Sequence, residues 1–259
     1  PVLPYALRST LYAHELGDLM MNLSQRMKKL KPYVPGEQPQ DRKYLKLNTN
    51  ENPYPPSPQV KKFLESLDPD RLRLYPDPAA IKLREKIGEK HGLKKEQVFV
   101  SNGSDEALSF CFDAFFDSLK GKLLFPEVTY SFYPVYCDYY GIEYERIPLT
   151  GDLAIPVEEF LKRKDSCGLV LANPNAPTGT YLPPKDILYL LENYPSEKPV
   201  LIDEAYIEFG GESGAPLLRE HKNLLLVSTF SKSFSLAGLR LGFVMAAREL
   251  IDALTTVKD

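Results

Sequence analysis

Seven short apolar runs, separated by longer amphipathic stretches, constrain this chain more than any other feature. They lie at 97–101 (QVFVS), 122–126 (KLLFP), 144–149 (YERIPL), 168–173 (GLVLAN), 199–206 (PVLIDEAY), 223–230 (NLLLVSTF) and 242–247 (GFVMAA). Helical patterns fill the gaps at about 105–119, 130–140, 183–193 and 233–239. Two more precede the first run. Ser57-Pro58 supplies an N-cap and a first-turn proline for a helix carrying Val60, Phe63, Leu64 and Leu67. A second, from about 79 to 90, places Ala80, Leu83 and Ile87 on one face and ends near Gly92. Strands of this length alternating with helices call for an α/β fold of three layers, with a mainly parallel seven-stranded sheet covered on both faces. Ligands in such sheets bind at the carboxyl ends of the strands, so the residues just after each run are the ones to inspect.

Composition narrows the function. Lys and Arg total 32 against 35 Asp and Glu, a net charge of −3 in 259 residues, which argues against an electrostatic grip on nucleic acid. No apolar run approaches the roughly 20 residues of a membrane span. Cys111, Cys137 and Cys167 are odd in number and form no CxxC pair, so neither a zinc knuckle nor a disulfide framework is indicated. A reducing cytosol is the simplest compartment. His14, His91 and His221 are scattered and are expected to be surface or capping residues, and no metal is expected. Proline is the outlier, 23 residues, nearly twice the usual share of about 5%. Residues 1–19 lack the basic start and compact apolar stretch of a signal peptide and read as read-through upstream of Met20 or Met21, or as an arm.

The strand ends collect chemistry. After 97–101 comes Ser101-Asn102-Gly103-Ser104-Asp105-Glu106, a tight turn into a helix whose first N–H groups suit an anion, or else an ordinary capped turn. The fourth run ends in NPNAPTG (173–179), a rigid loop able to aim an amide at a ligand. The fifth delivers Asp203 at the end of an apolar strand, a costly burial unless it has a cationic partner. The sixth leads to Ser231-Lys232-Ser233, where a partly desolvated lysine can act as a nucleophile, with Arg240 following; alone, Lys232 would read as a solvated loop lysine. An anion site, an amide, a buried acid, a lysine and an arginine are the set that pyridoxal phosphate requires.

With LNTNENPYPPSP (47–58), RLYPDP (73–78), VSNGSDE (100–106), FPEVTYSFY (125–133), LIDEAYIEF (201–209) and STFSKSFSLAGLRLGF (228–243), the chain resembles the fold-type I aminotransferases of class I/II, most closely the histidinol-phosphate aminotransferases. The resemblance runs from about residue 30 to 259. It implies that Lys232 carries pyridoxal phosphate as a Schiff base and moves the substrate Cα proton, and that Asp203 pairs with the pyridinium nitrogen. Tyr206, together with Asn175 in preference to Asn173, would contact the ring's phenolic oxygen, and Tyr130 would stack on the ring. Ser104, Asp105, Thr229, Ser231 and Arg240 would hold the phosphate. Tyr75 would reach the cofactor phosphate of a neighbouring subunit, which implies a homodimer. Tyr33 and Asn50 would lie on the substrate side. One departure is Ala176, where many members of the family have asparagine before Pro-Thr-Gly.

The implied reaction exchanges an amino group between histidinol phosphate and 2-oxoglutarate, a step of histidine biosynthesis, with both partners small molecules. An aromatic or aspartate aminotransferase, a threonine-phosphate decarboxylase, or an inactive fragment are the alternatives. The resemblance also implies an N-terminal arm with part of a small domain at 20–75 and a cofactor-binding large domain at 76–259. The rest of the small domain would lie C-terminal to it. The chain alone is therefore expected to bind substrate poorly, with Leu250, Ile251 and Leu254 exposed on its last helix.

Overall fold

The computed structural model describes Ser24, Met27, Leu30, residues 41–42 and residues 44–258. His14, Tyr33 and the reading of residues 1–19 with Met20 and Met21 lie outside the described residues. The chain divides into two compact units, Pro1–Arg42 and Lys43–Asp259, and every element below belongs to the second.

All seven apolar runs form strands: β1 (Val98–Ser101), β2 (Leu123–Pro126), β3 (Tyr144–Ile147), β4 (Gly168–Ala172), β5 (Val200–Asp203), β6 (Leu224–Thr229) and β7 (Gly242–Ala246). They make one sheet in the order β1-β7-β6-β5-β4-β2-β3. β7 runs antiparallel to both its neighbours, while the remaining pairs are parallel. Alternation along each strand feeds two separate cores. On β5, Val200 and Ile202 face one layer, and Leu201 faces the other. Residues buried on both sides of the sheet explain why the inner runs are continuously apolar, whereas the edge strand β3 carries Glu145 and Arg146.

Seven helices occur among the described residues: α1 (Pro58–Glu65), α2 (Ile81–His91), α3 (Ser104–Phe115), α4 (Phe132–Tyr140), α5 (Val157–Leu161), α6 (Pro184–Asn193) and α7 (Arg248–Lys258). One layer includes Ile87 of α2, Phe160 of α5 and Ile187 of α6. The opposite layer includes Phe112 of α3, Tyr133 of α4 and Leu254 of α7. α1 begins as expected, with the Ser57 hydroxyl accepting from the Gln59 N–H, but it buries none of its residues. α2 starts at Ile81 because the Asp77 carboxylate accepts from the Ala79 and Ile81 N–H groups, and it stops where Gly92 turns left-handed.

Three expectations are corrected. α3 ends at Phe115 rather than near 119, because Asp117 caps a separate 3₁₀ turn over Ser118–Lys120. The pattern at 233–239 yields a single 3₁₀ turn, Ala237–Leu239, because the Leu236 N–H returns to the Phe230 carbonyl and Ser235 adopts a positive φ of 57°. The last helix does not expose its apolar residues. Ile251 and Leu254 are buried and Leu250 is half-buried, in the layer formed with α3, β1 and β7. Their i, i+3, i+4 spacing supplies the apolar stripe that this edge of the sheet needs.

Candidate functional site

Strand direction brings the expected motifs together. Because β7 is antiparallel, its first residue lies level with the last residues of its neighbours: Gly242 pairs with both Ser101 of β1 and Thr229 of β6. Ala172 of β4 and Asp203 of β5 pair beside them. The chain leaves these ends into α3, the 173–179 loop, the 204–206 segment and the 230–240 loop. Between them lies a cavity of about 230 Å³, lined by Ser104, Asp105, Tyr130, Ala176, Asp203, Tyr206, Thr229, Ser231, Lys232 and Arg240, with Thr49 and Glu51 closing it from the N-terminal side.

Lys232 is half-buried, and its Nζ donates to the Thr49 carbonyl at 2.9 Å. It also stands 5.6 Å from the centre of the Tyr206 ring. Asn50 donates from Nδ2 to the Tyr206 hydroxyl at 2.9 Å, and Asn52 donates to the Lys232 carbonyl at 3.1 Å. Thr49 and Asn50 both adopt left-handed backbone, φ 61° and 51°. Such conformations in non-glycine residues collect at ligand sites. Glu51 forms an ion pair with Lys46 at 2.7 Å, which holds its carboxyl below the ordinary range.

The anion corner is built from α3 and the 229–240 loop. The first N–H groups of a helix have no intrahelical acceptor and concentrate positive potential. Gly103 precedes them at φ 90°, and a Cβ on it would meet the Arg240 guanidinium at 2.4 Å. A Cβ on Gly242 would stand 2.4 Å from the Ser104 nitrogen, so β7 and the helix start meet only because residue 242 lacks a side chain. Arg240 Nη2 lies 3.5 Å from the Asp105 carboxylate, which also accepts from the Tyr130 hydroxyl at 2.8 Å. Thr229 donates to the Ser231 hydroxyl at 3.0 Å and accepts from the Ser231 N–H.

Asp203 is 5% exposed. Its Oδ1 accepts from the Ala205 N–H and its Oδ2 from the Tyr133 hydroxyl, each at 3.1 Å. Burial pushes the carboxyl up to about 6, against the pull of those two bonds and of Lys232. The next residue, Glu204, points to the opposite layer by strand alternation. There it accepts from the Ser213 hydroxyl and the Gly214 N–H, both at 2.7 Å, and burial pushes it up to about 7.

Thus Ser104, Asp105, Tyr130, Asp203, Tyr206, Thr229, Ser231, Lys232 and Arg240 converge on one cavity. Asn50 joins them through Tyr206. Asn175 is buried beneath the cavity: its amide donates to the Val128 carbonyl and the Thr178 hydroxyl, and its oxygen accepts from Thr129. Asn173 is likewise engaged at both ends by Leu182. The residue of this loop that lines the cavity is Ala176. Tyr75 is fully exposed. Thr49, Glu51 and Tyr133 escaped the sequence reading; the one available signal was the position of Thr49 and Glu51 inside the LNTNENP motif. Among the described residues no His/Cys/Asp/Glu group could hold a metal, all three cysteines are free and buried, and no helix is long and apolar enough to cross a membrane.

The sequence profile of the family described as aminotransferase class I and II matches residues 42–259. The chain belongs to the class I and II aminotransferases. A histidinol-phosphate aminotransferase of Syntrophus aciditrophicus (strain SB) is 58% identical over 239 residues, covering 92% of this chain and 66% of that protein. Another, from Chromohalobacter salexigens, is 52% identical, covering 90% of this chain and 65% of that protein. The crystal structure of histidinol-phosphate aminotransferase from Sinorhizobium meliloti, in complex with pyridoxal-5'-phosphate, shares the fold, with a TM-score of 0.73 at 21% identity. It covers 80% of this chain and 57% of that one. The chain spans a little under two thirds of the length of the curated relatives it matches.

Proposed function

We propose that the cavity binds pyridoxal phosphate, with Lys232 as its covalent anchor, and that the protein transfers the amino group of histidinol phosphate to 2-oxoglutarate. The observation that carries this reading is the placement of Lys232, Asp203 and Arg240 around one cavity that also opens onto a helix N-terminus. The donor set fits the group: cation, hydroxyls and helix N–H groups for a phosphate, a buried carboxylate for a ring nitrogen, and an amine for an aldehyde. The absence of a Cβ at Gly103 and Gly242 lets the Arg240 guanidinium, β7 and the start of α3 close on one another at the phosphate corner.

When bound, the cofactor supplies an electron-withdrawing pyridinium ring that takes up the electron pair left by the departing Cα proton. Ser104 and Asp105 at the start of α3, with Thr229, Ser231 and Arg240, would hold the phosphate. Asp203 holds a proton on the ring nitrogen by pairing with it. Lys232 would take the Cα proton as a general base and return it as a general acid. Tyr206 orients the phenolic-oxygen side, held by Asn50. Tyr206 supports that contact from the cavity wall; Asn175, proposed to share it, has its amide on the Val128 carbonyl and the Thr178 hydroxyl, and Asn173 has its amide on the Leu182 carbonyl.

The substrate assignment is supported by the names of the relatives at 58% and 52% identity. In this reading residues 76–259 are the cofactor-binding domain, and residues 20–75 are the N-terminal arm with part of the small domain. Full exposure of Tyr75, with Tyr54, Phe63 and Leu72 also exposed, supports a homodimer in which Tyr75 reaches the other subunit's site. Three free buried thiols support a reducing, cytoplasmic setting.

Borohydride reduction of the protein incubated with pyridoxal phosphate, followed by peptide mass mapping, tests the reading. A pyridoxyl tag on Lys232 is the expected result, and its absence would leave an inactive fold. Assays of histidinol phosphate against aromatic amino acids, aspartate and threonine phosphate then separate the substrate classes.

A further inference from the structure

Tyr133 does not line the cavity, yet it is tied to the acid that does. Its side chain is fully buried. Its ring lies 5.9 Å from that of Phe125 and 6.1 Å from that of Phe112, and it meets Tyr130 edge-on at 5.6 Å. Those contacts are apolar and would serve a phenylalanine equally well. The hydroxyl is what they do not explain. A phenolic O–H in such a core needs an acceptor, and this one donates to Oδ2 of Asp203 at 3.1 Å.

β5 fixes where the Cβ of Asp203 points but leaves the carboxylate free to rotate. Two bonds remove that freedom, one on each oxygen: the Ala205 N–H from the chain itself and the Tyr133 hydroxyl from α4. We propose that Tyr133 is the positioning residue of Asp203, clamping Oδ2 so that the carboxylate stays ionised and in a fixed orientation at the cavity wall. What that orientation serves, pairing with the cofactor's ring nitrogen, rests on the function proposed above.

The charges around Asp203 explain why a donor is needed there. α3 brings Asp105 and Cys111 towards it; Tyr130, Tyr133 and Tyr136 face it from α4 and the turn before it; Lys232 faces it from the loop after β6. Glu204 follows in the chain and is itself raised by burial and by the charge of Asp203. Burial and Asp105 disfavour the ionised form, whereas the Ala205 N–H, the Tyr133 hydroxyl and Lys232 favour it. Of these favourable groups, Lys232 is the one that gives up its position in the reaction, so the static donors carry the task.

Tyr133→Phe deletes one oxygen and keeps the ring. Infrared difference spectroscopy on the cofactor-free protein, with Asp203→Asn identifying the band, follows the titration of this carboxyl. The expected result is a midpoint raised by about one pH unit, the size of one hydrogen bond to a charged group. Site-specific incorporation of 3-fluorotyrosine at 133, a more acidic phenol and stronger donor, is expected to lower the midpoint. This arm decides alone if Tyr133→Phe does not fold. Unchanged midpoints would overturn the proposal, because a space-filling ring gives no shift of opposite sign in the two variants. Absorbance titration with pyridoxal phosphate at neutral pH is the second arm. Several-fold weaker binding by Tyr133→Phe supports the positioning role, and equal affinity overturns it. Failure of the unmodified protein to bind pyridoxal phosphate would refute the function proposed above, while the infrared arm still decides the Tyr133–Asp203 coupling.

Discussion

Arg240 lies across the open face of Gly103, so close that a Cβ on residue 103 would stand 2.4 Å from its Nη2. The glycine itself sits at φ 90° and ψ 165°, a region that side-chain-bearing residues avoid. Gly103→Ala is therefore expected to cost about 1–3 kcal/mol of stability through backbone strain. It also pushes the guanidinium away from the helix N-terminus. Urea unfolding reads the first effect and competition between pyridoxal phosphate and inorganic phosphate reads the second. Unaltered stability would contradict the strained geometry.

The last helix packs its apolar stripe against the sheet, and this packing can be tested by substitution. Leu254 is fully buried between α7 and the sheet, whereas Thr256 two residues on is exposed. Leu254→Ala is expected to destabilise the chain by about 2–5 kcal/mol, the usual cost of emptying a buried leucine site. Thr256→Ala should stay within about 0.5 kcal/mol. Equal effects in denaturant titrations would mean that α7 does not pack as described.

What could be read from the sequence follows from how locally it is encoded. Strand runs declare themselves through apolar residues buried on both faces, and all seven were recovered. The convergence of Asp203, Lys232 and Arg240 on one cavity was legible because they lie at the end of β5 and in the loop after β6, where an α/β sheet gathers its ligands. Tyr133 was not, since nothing in FPEVTYSFY distinguishes a tyrosine that packs from one that also donates to a residue 70 positions away. Thr49 was equally hidden: it meets Lys232 through its backbone carbonyl, so its side chain carries no trace of the contact. The loop at 233–239 has helical spacing, but a single return bond from Leu236 to Phe230 outweighs it. For Asn175, the sequence does not show which way the amide points, because one of its acceptors, the Val128 carbonyl, lies on a different loop.

Glu204 anchors the segment that follows Tyr206. Its carboxylate takes the Ser213 hydroxyl and the Gly214 N–H, and neither donor has an equivalent acceptor if the side chain is cut back. Glu204→Ala is expected to cost about 2–3 kcal/mol, since it strands a buried backbone donor as well as opening space. Hydrogen exchange at Gly214 should accelerate in the variant by a factor that tracks the loss. Continued slow exchange would show that the carboxylate does not hold this loop.

Asp203 stands apart because its burial sets stability and activity against each other. Its carboxyl titrates at about 6 in the folded chain, against 3.8 for an unperturbed aspartate. Between those values the folded state holds a proton that the unfolded state has lost, so stability falls as pH rises from about 4 to about 6 and stays lower above that. A shift of about two units corresponds to about 3 kcal/mol. Asparagine has nearly the same volume, never ionises, and keeps an oxygen that can accept from Tyr133 or Ala205. Asp203→Asn is thus expected to stabilise the cofactor-free protein at pH 7 by up to about 3 kcal/mol, with the gain vanishing below about pH 4. Turnover should move the other way, by several orders of magnitude, because an amide cannot hold a proton on the ring nitrogen by charge. Urea unfolding at the two pH values and a transamination assay on the same variant measure both sides. A variant no more stable at pH 7 than its parent would show that the buried carboxyl is not strained, and near-normal turnover would remove Asp203 from the reaction.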